Sequence, residues 1–216
     1  MRCSVIGAGA MGRAVARRLA LAGETVLLTD RDTAKAWRAA AEVSAEAAPG
    51  IVLPADLSAA LDANVDMTVL ALAHRDCLAL ALSADRPLAG KVVVDVANSL
   101  EDQEFGISPS GGVSAAERLA AAAPESIVVK AFNTAFAPVL YAGELDGIPV
   151  DVFVASDDDD AKLAVIELVN RSGLRGFDMG RLRNARGLES LAALSHELRD
   201  RLGLTVQAGF TFLPRW

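Results

Sequence analysis

Two histidines and two cysteines are all that the 216 residues contain, and that scarcity removes several chemistries at once. A structural zinc site needs four Cys or His ligands at short fixed spacings, whereas His74, His196, Cys3 and Cys77 are scattered along the chain. Neither histidine has the partners of a Ser-His-Asp triad. Cys3 falls in an expected strand and Cys77 at the start of an expected helix, with no pairing pattern, so a reducing cytoplasm is the expected setting. No apolar run approaches the eighteen or so residues of a membrane span. A signal peptide is not visible, because the first apolar residues are broken by glycines and followed by Arg13, Arg17 and Arg18. A formal net charge of −7 argues against nucleic acid, whose non-specific binding needs a basic surface to displace counterions. What is left is the composition of a soluble globular protein, 52% hydrophobic and 23% charged, long enough for one larger domain or two small ones.

What the chain does have is concentrated in its first twelve residues. Met1-Arg-Cys-Ser-Val-Ile6 reads as a buried strand that runs into Gly7-Ala8-Gly9-Ala10-Met11-Gly12 and then a helix. Gly7 allows a sharp turn, Gly9 removes a side chain where a pyrophosphate must approach the main chain, and Gly12 lets the helix lie close to the strand. The unpaired N–H groups of the first helical turn, with the aligned peptide dipoles behind them, then form an anion site. The context fits. Ala14, Val15, Leu19 and Ala20 make a helical stripe, Gly23 ends the helix, and Thr25-Val-Leu-Leu-Thr29 is a second strand closed by Asp30, where a carboxylate can hold the adenosine ribose.

Strands and helices then alternate. Helices are expected over 33–48, 57–63, 74–84 and 115–123, and strands over 51–53, 65–72, 91–97 and 127–132. The mostly continuous apolar strands suit a parallel sheet covered on both faces. This is a doubly wound α/β, or Rossmann, pattern. Residues 98–113 shift to Ser, Gly, Pro and acids and read as a loop over the carboxyl edge of the sheet. Beyond it, a short helix at 138–143, a strand at 150–155, a helix at 161–170, a strand at 174–179 and a long helix at 185–202 form a small C-terminal α/β part. The division is placed near residue 125, giving 1–125 as the dinucleotide-binding domain and 126–216 as a small domain for the second cofactor or substrate. The apolar tail 205–216 is expected to pack on that second half or on another subunit, and the chain is expected to be a homo-oligomer, a dimer being the simplest.

Catalytic groups are few. His74 follows the strand that ends at Leu72 and so stands at the carboxyl edge, beside the cofactor. His196 falls mid-helix and reads as a partly exposed surface residue. The run Asp157-Asp-Asp-Asp160 precedes a helix and reads as capping, since acids there accept from free N–H groups and oppose the dipole. Lys130, at a strand end, is either an ion-paired structural residue or a group that polarises a carbonyl.

Four stretches, Lys130-Ala-Phe-Asn-Thr134, the glycine turn, Asp157 to Asp160 and Asn184-Ala-Arg-Gly-Leu-Glu-Ser190, together resemble the NADP-dependent oxidoreductases that use coenzyme F420. The related cytosolic reductase domains of membrane metalloreductases carry a similar Lys-Ala-Phe-Asn sequence. The resemblance spans nearly the whole chain and implies a dinucleotide-binding domain with a small C-terminal part, the deazaflavin lying against the nicotinamide between them. It puts the pyrophosphate on Ala8, Gly9, Ala10, Met11 and Gly12, and the 2'-phosphate contacts on Asp30, Arg31 and Lys35. Ala71, Leu72 and Ala73 fall near the nicotinamide, with Ala73 where the family has proline. Asn98, Ser99, Asn133, Thr134, Ala135, Arg186 and Ser190 border the nicotinamide and deazaflavin pocket, and Ala192 stands where the family has a hydroxyl.

Asp30 departs from the family, since NADP-selecting members usually have a small hydroxyl residue there. A carboxylate would bond the ribose hydroxyls of NAD and repel a phosphate, while Arg31 and Lys35 favour NADP; the fixed carboxylate tips the balance slightly to NAD. The implied reaction is hydride transfer between a nicotinamide dinucleotide and coenzyme F420 or a flavin, which needs aligned rings more than an acid or base. Reduction of a carbonyl or imine is the alternative and needs a proton donor or clamp, for which Lys130, Asn133 and His74 are the candidates. A third reading is a non-catalytic NAD(P)-binding redox sensor.

Overall fold

The computed structural model describes residues 1–85, 87–98, 112–203 and 209–212. Arg2–Ile6 form β1, buried over its last four residues. Gly7, at a φ of +107°, ends it, and Ala10–Leu21 form α1. β2 is Thr25–Thr29, and α2, Thr33–Ser44, starts at Asp32, whose side chain accepts from the Lys35 amide. β3 (Ile51–Pro54), α3 (Leu57–Ala60), β4 (Met67–Leu70), α4 (His74–Ala81) and β5 (Val92–Asp95) follow. The expected helix 57–63 stops at Ala60 because Asp62 accepts from the main-chain and side-chain nitrogens of Asn64, an Asx turn that competes with another helical turn.

Ser114 and Glu117 form a capping box that opens α5, Ala115–Ala122. β6 is Ile127–Lys130. After α6 (Ala137–Ala142) comes a hairpin of β7 (Glu144–Leu145) and β8 (Ile148–Pro149) that the sequence reading did not anticipate. β9 (Asp151–Ser156), α7 (Asp159–Arg171), β10 (Arg175–Asp178), a 3₁₀ turn over Leu182–Asn184 and α8 (Ala185–Arg201) complete the order. Asp158 caps α7, with Asp159 and Asp160 in its first turn, as the acidic run leads one to expect. Asp157 accepts from the amide of Leu182.

Eight strands form one sheet in the order β3-β2-β1-β4-β5-β6-β9-β10. The first six are parallel, β9 is antiparallel to β6, and β10 is parallel to β9. The order of the first six is that of the doubly wound Rossmann fold, in which the chain changes direction between β1 and β4 and ligands bind outside the carboxyl ends of the strands there. The sheet crosses residue 125 without a break, and Val5, Val94, Val129, Val152 and Leu168 belong to one hydrophobic core. Of the tail, residues 209–212 lie on the outer edge of the second half. There the Phe212 amide donates to Asp151 at 2.6 Å, Arg175 donates to the Phe212 carbonyl at 3.2 Å, and the Phe212 ring meets that of Phe177 edge-on. Among the described residues no helix is long and apolar enough to cross a membrane.

Candidate functional site

The glycine turn lies at the carboxyl end of β1, and its three glycines differ in what surrounds them. A Cβ on Gly12 would stand 1.7 Å from the Gly7 carbonyl oxygen, and one on Gly7 would stand 2.4 Å from that of Ala71. Both are needed for backbones to touch. At Gly9 a Cβ would meet nothing within 4 Å, because it faces open space. Gly9 is also the residue before α1, and no side chain caps that helix. The first-turn amides at Ala10, Met11 and Gly12 therefore lack the helix-internal acceptors that later amides have.

A cleft of about 680 Å³ opens from this turn. Gly7, Gly9, Asp30, Arg31, Lys35, Ala71, Leu72 and Ala73 all line it, with Leu57 and Leu80 adding apolar surface. The structure thus brings together the glycine turn, the end of β2 and the end of β4, while Ala8 is buried behind them. Asp30 is already engaged. One carboxylate oxygen accepts from the Ala8 amide at 2.9 Å and from Lys35 Nζ at 2.7 Å, and the other from the Asp32 amide at 3.1 Å. Burial acts to raise its pKa, but Lys35 and the amides of Asp32 and Ala8 override it and hold the carboxyl below its ordinary value. Arg31 is exposed at the rim of the cleft.

Further along the carboxyl edge, past the ends of β5 and β6, lie Asn98, Asn133, Thr134 and Ala135. Phe132 has a φ of +64°, a left-handed conformation uncommon outside glycine, and the chain turns there so that Asn133 points back across the sheet. Asn133 Nδ2 donates to Asn98 Oδ1 at 2.8 Å and to the Leu188 carbonyl at 3.1 Å. Thr134, Ala135, Ala192, Ser195 and His196 meet at a crevice of about 10 Å³, room for about one water. His196 is partly exposed, as expected, with its ring edge-on to Phe136 at 4.9 Å. Burial, helped by Arg199 and opposed by Asp200, lowers its pKa. Ser99 lies outside the described residues.

Of the three candidates for proton transfer or carbonyl polarisation, Lys130 is not available for the role. It is completely buried, and its ammonium donates to Asp95 Oδ2 at 2.9 Å, to Glu189 Oε1 at 2.9 Å and to the Ala97 carbonyl. Three acceptors match three protons, which leaves none for a substrate. Burial pulls its pKa down, and the two carboxylates outweigh that and raise it, so the lysine stays charged. His74 is buried at the start of α4, and neither ring nitrogen has a hydrogen-bond partner. Asn133 is committed through its amide nitrogen, and its buried Oδ1 has no partner. Arg186 and Ser190 share one face of α8, joined by the Ser190 hydroxyl donating to the Arg186 carbonyl at 2.9 Å. Arg186 makes a two-pronged pair with Glu117 of α5 at 2.7 and 2.8 Å.

Asp95 and Glu189 escaped the sequence reading. A signal existed, since Asp95 and Lys130 are lone charges at the ends of two apolar strands, and the register sets them opposite each other.

Comparison with known proteins places this architecture. The chain is 31% identical to the F420-dependent NADP reductase of Methanothermobacter marburgensis over 205 residues, which is 90% of each chain. It belongs to the F420-dependent NADP reductase family. Residues 2–99 match the family model described as NADP oxidoreductase, coenzyme F420-dependent. A proposed F420-dependent NADP reductase from Arthrobacter sp. FB24 superposes with a TM-score of 0.77 at 29% identity, over 98% of this chain and 99% of that one. The metalloreductase STEAP3 of Rattus norvegicus is 30% identical over 88% of this chain but only 36% of its own length. The chain thus spans about a third of the metalloreductases it matches. The family is one of NAD(P)-dependent oxidoreductases.

Proposed function

We propose that this protein passes a hydride between NADP(H) and a second carrier of the deazaflavin or flavin class, coenzyme F420 first among them. The observation that carries the reading is the uncapped start of α1 at Gly9, open to a cleft that also takes in Asp30, Arg31 and Lys35. The family relatives named for F420 and NADP support the two carriers.

The bound nicotinamide supplies the hydride, and the protein's residues bind, orient and exclude water. The first-turn amides of α1 hold the pyrophosphate. Ala71, Leu72 and Ala73 present small or apolar surface to the rings, and Asn98 and Asn133 fix the far wall. Transfer between two ring carbons requires near-attack alignment and no strong base, which agrees with Lys130 being locked in an ion cluster.

NADP is preferred in this proposal because Lys35 offsets the charge of Asp30, and Ala8, Asp32 and Lys35 already use three of its roughly four acceptor positions. Arg31 stays open for a phosphate. A cytoplasmic, homo-oligomeric protein acting on small molecules completes the reading; Cys3 and Cys77 are buried with thiols pushed up to about 12, too high to react readily as thiolates.

The test is turnover. Purified protein given NADPH or NADH with coenzyme F420 or FMN should consume NADPH with a kcat/KM about tenfold above that for NADH. Tight NADPH binding with no turnover of either acceptor would overturn the hydride-transfer reading.

A further inference from the structure

Helix α8 carries Arg186, Leu188, Ser190 and Ala192 past the ends of β5 and β6, yet its apolar attachment is thin. Over 17 residues its buried positions are Ala185, Leu188, Glu189, Ala192 and Ser195. One leucine and two alanines, with the His196 ring against Phe136 further along, remove little apolar area from water at the start of the helix, and the hydrophobic contribution scales with that area. Glu189 is 6% exposed and supplies a different attachment. Its Oε1 accepts from Lys130 Nζ at 2.9 Å and from the Ala116 amide at 3.3 Å, and its Oε2 accepts from the Ala115 amide at 3.0 Å. One carboxylate therefore ties α8 to β6 and to the first turn of α5, where the helix dipole favours negative charge. Lys130 carries the tie on to Asp95 of β5. One residue away, the Leu188 carbonyl, which can only accept, takes the Asn133 amide at 3.1 Å.

We infer that Glu189 is a positioning residue, the buried clamp that holds the Arg186–Ser190 stretch of α8 in place beside Asn133, whose side-chain amide meets the Leu188 carbonyl, and so fixes the binding face for the second ring. The inference rests on the proposed function. Lys130 and Asp95 remain a balanced pair when Glu189 is removed, and the start of α8 is then held by the Arg186–Glu117 pair and the Leu188–Asn133 hydrogen bond. The adenosine half of the cleft, at Asp30, Arg31 and Lys35, contains no residue of the clamp.

The experiment compares Glu189→Leu with Glu189→Gln, whose side-chain oxygen still accepts. In Glu189→Leu the KM for coenzyme F420 should rise about tenfold or more while the Kd for NADPH stays within about twofold. In Glu189→Gln both should stay within about threefold of the wild type. Amide hydrogen exchange should quicken along α8 in the leucine variant and stay unchanged in β1 and β2. Equal losses for NADPH and F420, or unchanged exchange in α8, would overturn the inference. If wild type turns over neither F420 nor FMN, the proposed function fails, and the clamp is judged on hydrogen exchange alone. Should Glu189→Leu not fold, Glu189→Asp, one methylene too short to reach Lys130, carries the same two measurements.

Discussion

The main-chain N–H of Ala8 donates to Asp30 Oδ2 at 2.9 Å, which fastens the end of β2 to the glycine turn. Lys35 is drawn to the same oxygen. Replacing Asp30 with serine releases Lys35 and removes a negative charge from the rim. The NADPH to NADH ratio of kcat/KM should then rise by about tenfold, equivalent to about 1.4 kcal/mol, with some loss of affinity for both as the turn loosens. A ratio that stays level would show that Asp30 does not take part in cofactor choice.

The glycines at 9 and 12 should fail in different ways. In Gly9→Val the new side chain projects into open space, so circular dichroism and Tm should stay near wild type while NADPH binding is lost. In Gly12→Ala a Cβ falls 1.7 Å from a backbone oxygen, and α1 has to move away from the turn. That variant should lose stability and binding together, read by thermal unfolding and NADPH titration. A stable Gly12→Ala protein that binds normally would contradict the geometry.

Lys130→Met should be among the most damaging substitutions of the core. It leaves Asp95 and Glu189 buried side by side without their cation. Breaking a buried ion pair in this way costs about 3–5 kcal/mol, which urea unfolding at neutral pH would measure.

Acid should reveal the Arg186–Glu117 pair. Arg186, opposed by burial and helped by Ser114, holds the Glu117 carboxyl down from 4.5 to about 2. A carboxyl whose folded pKa is depressed contributes stability above its ordinary value and loses it as the pH falls through the folded value. Wild type should therefore lose Tm relative to Glu117→Gln as the pH drops from about 4.5 towards about 2. The pair is solvent-screened, so the difference should be small, about 2–4 °C. Parallel pH profiles for the two proteins would show that the pair contributes nothing.

The sheet was legible in the sequence because apolar runs and glycine breaks act locally. β1, the turn, α1 and β2 follow from the first thirty or so residues, and the acidic run at α7 declared itself as capping. What stayed hidden depends on contacts between distant residues. Lys130 looks like a catalytic candidate until Asp95 and Glu189, 35 and 59 residues away, are seen to hold it. Asp30 reads from the sequence as a free carboxylate at a strand end, and its bond to the Ala8 amide, 22 residues earlier, is not legible there. The β7–β8 hairpin was missed for a different reason. Its Asp146-Gly147 turn, with φ of 52° and 76°, is a common two-residue hairpin signal, but its strands are only two residues each and carry no alternation to go with it.

The reversal of direction between β6 and β9 sets two unlike helix starts at opposite ends of the sheet. Since β9 is antiparallel to β6, the run from Asp157 to Asp160 that follows it opens towards the amino-end side of the parallel strands, away from the start of α1. There Asp158 accepts from the Ala161 amide, with Asp159 and Asp160 in the first turn, so the chain's own carboxylates close that helix start. The start of α1 has no such closure, and of these two ends it alone keeps its amides for a visitor.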